Sequence, residues 1–136
     1  MVIGFLLLNS LGFAQISNDT SIVRDVDIVP QFIGGPRGWQ RFLENTIDIR
    51  HAISEMDSTQ YLEFGPRQTA IMEFTVCEDG KVCEIEILNK SKISPAFAKE
   101  AIRVMERSPK WKPAVKDNKY VRTRFRQPIT AILDEI

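Results

Sequence analysis

The tripeptide Glu78-Asp79-Gly80 constrains this chain most, because it stands between two β-rich runs, TAIMEFTVC over residues 69–77 and KVCEIEIL over residues 81–88. Asp-Gly between alternating runs is a strong hairpin signal, since glycine accepts the positive φ that tight turns require. A two- or four-residue turn sets Val76 opposite Cys83, Phe74 opposite Ile85 and Met72 opposite Ile87. Those six residues then form the buried face, and Glu73, Thr75, Glu84 and Glu86 point outward. In this register Cys77 and Cys83 point to opposite faces, which does not suit a disulfide. A three-residue turn with a bulge would align the cysteines but turn Ile85 and Ile87 outward.

Two helices flank the hairpin. Pro36 fits a first helical position, and Trp39, Phe42, Leu43, Thr46 and Ile47 share one face, which predicts an amphipathic helix over residues 36–49 with Arg37, Gln40, Arg41 and Glu44 in water. Ser94 as cap, Pro95 as first residue and the apolar set Phe97, Ala98, Ala101, Ile102, Val104 and Met105 predict a second helix over 95–107, stopped before Pro109. The stretch 50–68 has poor periodicity and reads as a connection with one short strand at 61–64. His51, the single histidine, falls near a helix C-terminus, where a partial positive charge is favourable, and reads as structural.

Asp117-Asn118 offers a turn before the last strand. There Val121, Thr123 and Phe125 alternate with Arg122, Arg124 and Arg126, giving one core face and one basic face. The strand continues through Pro128 to Ile129 and Leu133. Proline cannot donate to a ladder, so this strand belongs at a sheet edge. The arginine stripe is either balanced by Glu73, Glu84 and Glu86 on neighbouring strands or offered to an acidic partner, and internal balance is the simpler reading.

The first 14 residues, MVIGFLLLNSLGFA, are apolar and uncharged, and Gly12 and Ala14 precede Gln15. They read as a signal peptide, although the positive n-region is absent, and the true start lies upstream if the leader is incomplete. The run is too short for a membrane span, so the mature chain is expected to carry none. Residues 15–28 read as a short linker and residues 29–136 as one domain. Lys plus Arg and Asp plus Glu each total 18 in 136 residues, so the broad basic field that nucleic acids require is missing.

Standard catalytic and metal-binding motifs are absent: there is no CxxC, no paired histidines, no P-loop and no GxSxG. Gly34-Gly35 reads as a turn, and Glu84 with Glu86 as a solvated strand face. No catalytic residue, metal or cofactor is therefore expected.

The order of Pro30-Gln31-Phe32-Ile33-Gly34-Gly35, Glu78-Asp79-Gly80-Lys81-Val82, Phe97-Ala98-Lys99-Glu100-Ala101-Ile102, Pro109-Lys110-Trp111-Lys112-Pro113-Ala114 and the closing VRTRFRQPI resembles the C-terminal domain of TonB energy transducers, from about residue 29 to 133. The resemblance implies an α+β fold, a three-stranded antiparallel sheet with two helices on one face, placed in the bacterial periplasm. It also implies that the TonB box of an outer-membrane TonB-dependent receptor adds as a strand to the last strand, along Tyr120, Val121, Arg122, Thr123, Arg124, Phe125, Arg126 and Gln127. The transducers' N-terminal membrane helix and long Pro-rich spacer have no counterpart in the sequence, so binding without force transmission is expected, unless an upstream start supplies an inner-membrane anchor. Pairing of the same edge with a second copy, as a homodimer or assembly module, is the alternative.

Overall fold

The computed structural model describes residues 21–134, so the expected leader lies outside the described residues. In chain order these form α1 (Gly35–Thr46), α2 (Ile49–Ser54), α3 (Ser58–Phe64), β1 (Arg67–Val76), β2 (Val82–Ile87), α4 (Pro95–Glu106), β3 (Ala114–Lys116), β4 (Lys119–Val121) and β5 (Thr123–Ile132). β2, β1 and β5 make an antiparallel sheet in that order, while β3 and β4 make a separate two-stranded ribbon. The α+β class and the three-stranded sheet agree with expectation.

The hairpin turn has three residues, Glu78-Asp79-Gly80, in place of the expected two or four. Gly80 takes φ 90° and its amide donates to the Cys77 carbonyl at 2.8 Å, while the Cys77 amide donates to the Lys81 carbonyl at 2.9 Å. This is a type I turn closed by a left-handed glycine. Near the turn, Val76 therefore faces Val82 and Thr75 faces Cys83, one residue away from the expected register. A bulge then restores it: Glu84 adopts φ 52°, Phe74 is left opposite both Glu84 and Ile85, and Met72 faces Ile87 as expected. The slip and the bulge cancel, so Ile85 and Ile87 still pack against the core. Cys83 leaves the inner face, and Val82 takes its place there.

The inner face carries Met72, Phe74 and Val76, all 0% exposed. The helices pack over it, with Trp39 of α1, Ala52 of α2 and Phe97, Ala101, Val104 and Met105 of α4 in one core. Ser94 caps α4 by accepting from the Phe97 amide at 3.1 Å, as its sequence predicts. Trp111 links the layers: its ring lies 5.3 Å from Phe74 and from Phe32, and 5.7 Å from Trp39 and from Phe125. Its amide also donates to the Gly80 carbonyl at 2.9 Å, tying the hairpin turn to this aromatic cluster.

Two helix expectations change. The first helix stops at Thr46, three residues early, because Ile47 is extended and Asp48 caps a new helix by accepting from the His51 amide at 3.0 Å. His51 thus lies within α2, where its imidazole faces Glu55 at 3.3 Å. The expected strand at 61–64 is instead part of α3. Asp57 caps it by accepting from the Gln60 amide at 2.8 Å, a local start signal that favours a helical turn over an extended strand.

The junction of α1 and α2 is pinned by Glu100 of α4, only 3% exposed. Its carboxylate accepts from the Asp48 amide at 2.6 Å and from two Arg103 nitrogens, and Arg103 also donates to the Thr46 carbonyl at 2.7 Å. Burial alone would raise the Glu100 pKa, but the Arg103 guanidinium and the Asp48 amide outweigh it and hold the carboxyl below its ordinary value.

Candidate partner-binding edge

β5 pairs with β1 without interruption, from Arg67 opposite Ile132 to Val76 opposite Thr123. No strand of the described residues lies on its other side. Which backbone groups face that side follows from Ile71. Its carbonyl accepts from the Leu88 amide at 2.9 Å and its amide donates to Asn89 Oδ1 at 2.9 Å, so both groups point toward β2. Its partner on β5 is Pro128, which is therefore a non-hydrogen-bonded position whose backbone points away from β1. By alternation, the amides and carbonyls of Arg124, Arg126, Thr130 and Ile132 also point outward. Those of Thr123, Phe125, Gln127 and Ile129 serve the β1 ladder. Pro128 is tolerated because its missing N–H falls on the outside.

The start of this edge is already engaged by the chain's own N-terminal side. The Val23 amide donates to the Arg122 carbonyl at 2.8 Å, and the Thr123 hydroxyl donates to the Val23 carbonyl at 2.6 Å. Residues 23 to 28, within the stretch read as a linker, thus lie against the domain, and Ile28 bridges to Val115. No sequence signal marks Val23 for this role.

The eight residues expected to meet a partner divide between two elements. Tyr120 and Val121 belong to β4, paired with Val115 and Ala114, and Tyr120 is 64% exposed. Arg122 is a junction, and Thr123 to Gln127 form the first half of β5. The β3–β4 ribbon is built on the expected turn, since Asp117 and Asn118 both take positive φ. Phe125 turns inward against Phe74, with ring centroids 6.2 Å apart.

The arginine stripe is neutralised within the domain. Arg122 pairs with Glu78 at 3.0 Å, Arg124 with Glu73 at 3.1 Å and Glu86 at 2.7 Å, and Arg126 with Glu73 at 2.9 Å. The expected counter-charges included Glu84, which is engaged differently. Its carboxylate accepts from the Thr75 hydroxyl at 2.7 Å, and its carbonyl accepts from Arg124. Glu78 carries no sequence signal for this pairing, because it sits in the turn and outside the strand alternation. Hydrogen bonds from Arg126 and Arg124 hold the Glu73 carboxyl below its ordinary value. Among the described residues no cluster of acidic, His and Cys side chains could hold a metal, and no helix is long and apolar enough to cross a membrane.

An antiparallel sheet whose last strand is an edge, backed by a helix and the Trp111 segment, has a counterpart among known families. Residues 68–130 match the family described as the Gram-negative bacterial TonB protein C-terminal. The protein contains a TonB C-terminal domain. The matched range takes in β1, β2, α4, the ribbon and most of β5, while α1 to α3 and the Pro30–Gly35 motif precede it. No curated protein matches the chain. TonB C-terminal domains are non-enzymatic protein-interaction domains of the cell envelope.

Proposed function

We propose that this TonB C-terminal domain works in the periplasm and binds the TonB box of an outer-membrane TonB-dependent receptor by strand addition to β5. The supporting observation is the outer side of β5, which from Arg124 onward has no strand partner among the described residues. A guest chain exchanges backbone hydrogen bonds with Arg124 and Arg126, and Tyr120, exposed on β4, is available to its side chains at the near end. Tyr120, Val121, Arg122, Thr123, Arg124, Phe125, Arg126 and Gln127 line or support this contact. Because Glu73, Glu78 and Glu86 already satisfy the arginines, recognition rests on backbone and shape more than on the charge of the partner.

A TonB-box peptide titrated into isotopically labelled protein should shift the outward amides of Arg124 and Arg126 most, and the inward amides of Phe125 and Gln127 less. Unmoved β5 amides at millimolar peptide would remove the reading. Arg126→Pro deletes one outward donor and no donor of the β1 ladder, and it should abolish the shifts while the fold survives. A homodimer in light scattering, with these same amides protected from exchange before any peptide is added, would favour self-pairing through the edge instead.

A further inference from the structure

Cys77 and Cys83 are brought together by the three-residue turn of the hairpin, and the bulge that follows keeps Ile85 and Ile87 on the core. The glycine-closed three-residue turn sets Cys77 across from Lys81 and Cys83 across from Thr75, so both side chains lie on the outer face. Their sulfurs are 3.3 Å apart, both thiols are free, and both residues are half-buried. A disulfide holds its sulfurs about 2.05 Å apart, so forming one draws the two thiols together by about 1.2 Å through small shifts of the side chains and the turn. Glu84 is a non-glycine residue at φ 52°, an uncommon conformation that calls for an explanation. Without this bulge, the three-residue turn would align the thiols only by turning Ile85 and Ile87 out of the core. With it, both are satisfied.

We propose that Cys77 and Cys83 form a redox site, which an organic disulfide oxidises to an intramolecular cross-strand bridge that staples the turn and the bulge. One cysteine, as thiolate, attacks the oxidant; the oxidant's S–S bond breaks, a mixed disulfide forms and one thiolate leaves. The other cysteine loses its proton and attacks the mixed disulfide, closing the Cys77–Cys83 bond and expelling the second thiolate. The cysteines give up two electrons and two protons, and the oxidant becomes two thiols. Burial, with the neighbouring Cys83 thiol, pushes the Cys77 thiol up to about 11 against the pull of Arg122, which suits Cys77 to the second attack. Oxidising conditions of the envelope let such a bridge persist.

The test uses purified protein equilibrated with oxidised glutathione or with dithiothreitol, then unfolded in iodoacetamide and weighed. The expected oxidised product is a monomer lighter by two hydrogen atoms that takes no adduct, and the reduced protein takes two. Dithiothreitol should lower the Tm of the oxidised protein by about 5–10 °C and leave that of Cys77→Ser unchanged. Two adducts after oxidation, a bridge between two chains, or stable glutathione on either cysteine would each overturn the proposal. No peptide enters these measurements, so they stand apart from strand addition to β5.

Discussion

On the inner face of the sheet, Met72, Phe74 and Val76 are removed from water by apolar side chains; on the outer face, Thr75 is equally buried but beneath charged ones. Its hydroxyl donates to Glu84 and accepts from Arg124 at 3.1 Å, and Arg124 is itself held by Glu73 and Glu86. The inner face depends on volume, is blind to salt and tolerates no lost methylene cheaply. The outer face depends on direction and charge, so its ion pairs respond to ionic strength. One strand, β1, takes part in both, and neighbouring residues along it obey different rules.

The sharpest way to break this contrast is Phe74→Ala. It should cost about 3–5 kcal/mol in urea unfolding, with the same loss at low and high salt. Gly80→Ala comes next, at about 2–3 kcal/mol, because the residue sits at φ 90° and a Cβ would strike the Trp111 carbonyl. Near-UV circular dichroism should then show the tryptophan signal weakened in the folded state, since the turn and the aromatic cluster share that contact. Arg124→Ala should cost about 1–2 kcal/mol, and this loss should shrink as salt rises. If it is as large as the Phe74→Ala loss and indifferent to salt, the distinction between the two faces fails.

Acid sharpens the same comparison. Glu73 and Glu100 both have folded pKa values below their ordinary 4.5. Their stabilisation is therefore complete above the unfolded value, and it is lost as pH falls through the lower folded values. Unfolding midpoints should stay level from these groups between neutrality and about pH 5, then decline in more acidic solution. Arg124→Ala removes one of the two guanidiniums that lower Glu73, so its acid decline should be shallower. The smallest effect belongs to Thr69→Val, which deletes an exposed hydroxyl contact with Thr130 at 2.8 Å and should cost under about 0.5 kcal/mol.

Much of the fold is legible where a local rule and the tertiary outcome agree. Ser94-Pro95 start a helix, Asp117-Asn118 turn a ribbon, and Pro128 marks an edge because each acts through its own backbone. The hairpin is harder. Glu78-Asp79-Gly80 announces a turn without giving its length, and the compensating bulge at Glu84 follows from keeping Ile85 and Ile87 on the core, a demand that arises only once α4 is packed. The stretch 50–68 hides two short helices because their caps, Asp48 and Asp57, are single residues in a run without periodicity. At the candidate edge, alternation finds Arg124 and Arg126 but not Val23, whose contact with Arg122 joins positions about a hundred residues apart through backbone atoms that carry no side-chain signature.

The outward ring of Pro128 limits what the edge can offer. A chain docking from Arg124 onward finds two donors, at Arg124 and Arg126, before it meets a position with none, and Val23 closes the other end. The uninterrupted ladder is thus only a few residues long. If a guest strand pairs here as proposed, a ladder of that length gives a grip that is brief and readily released.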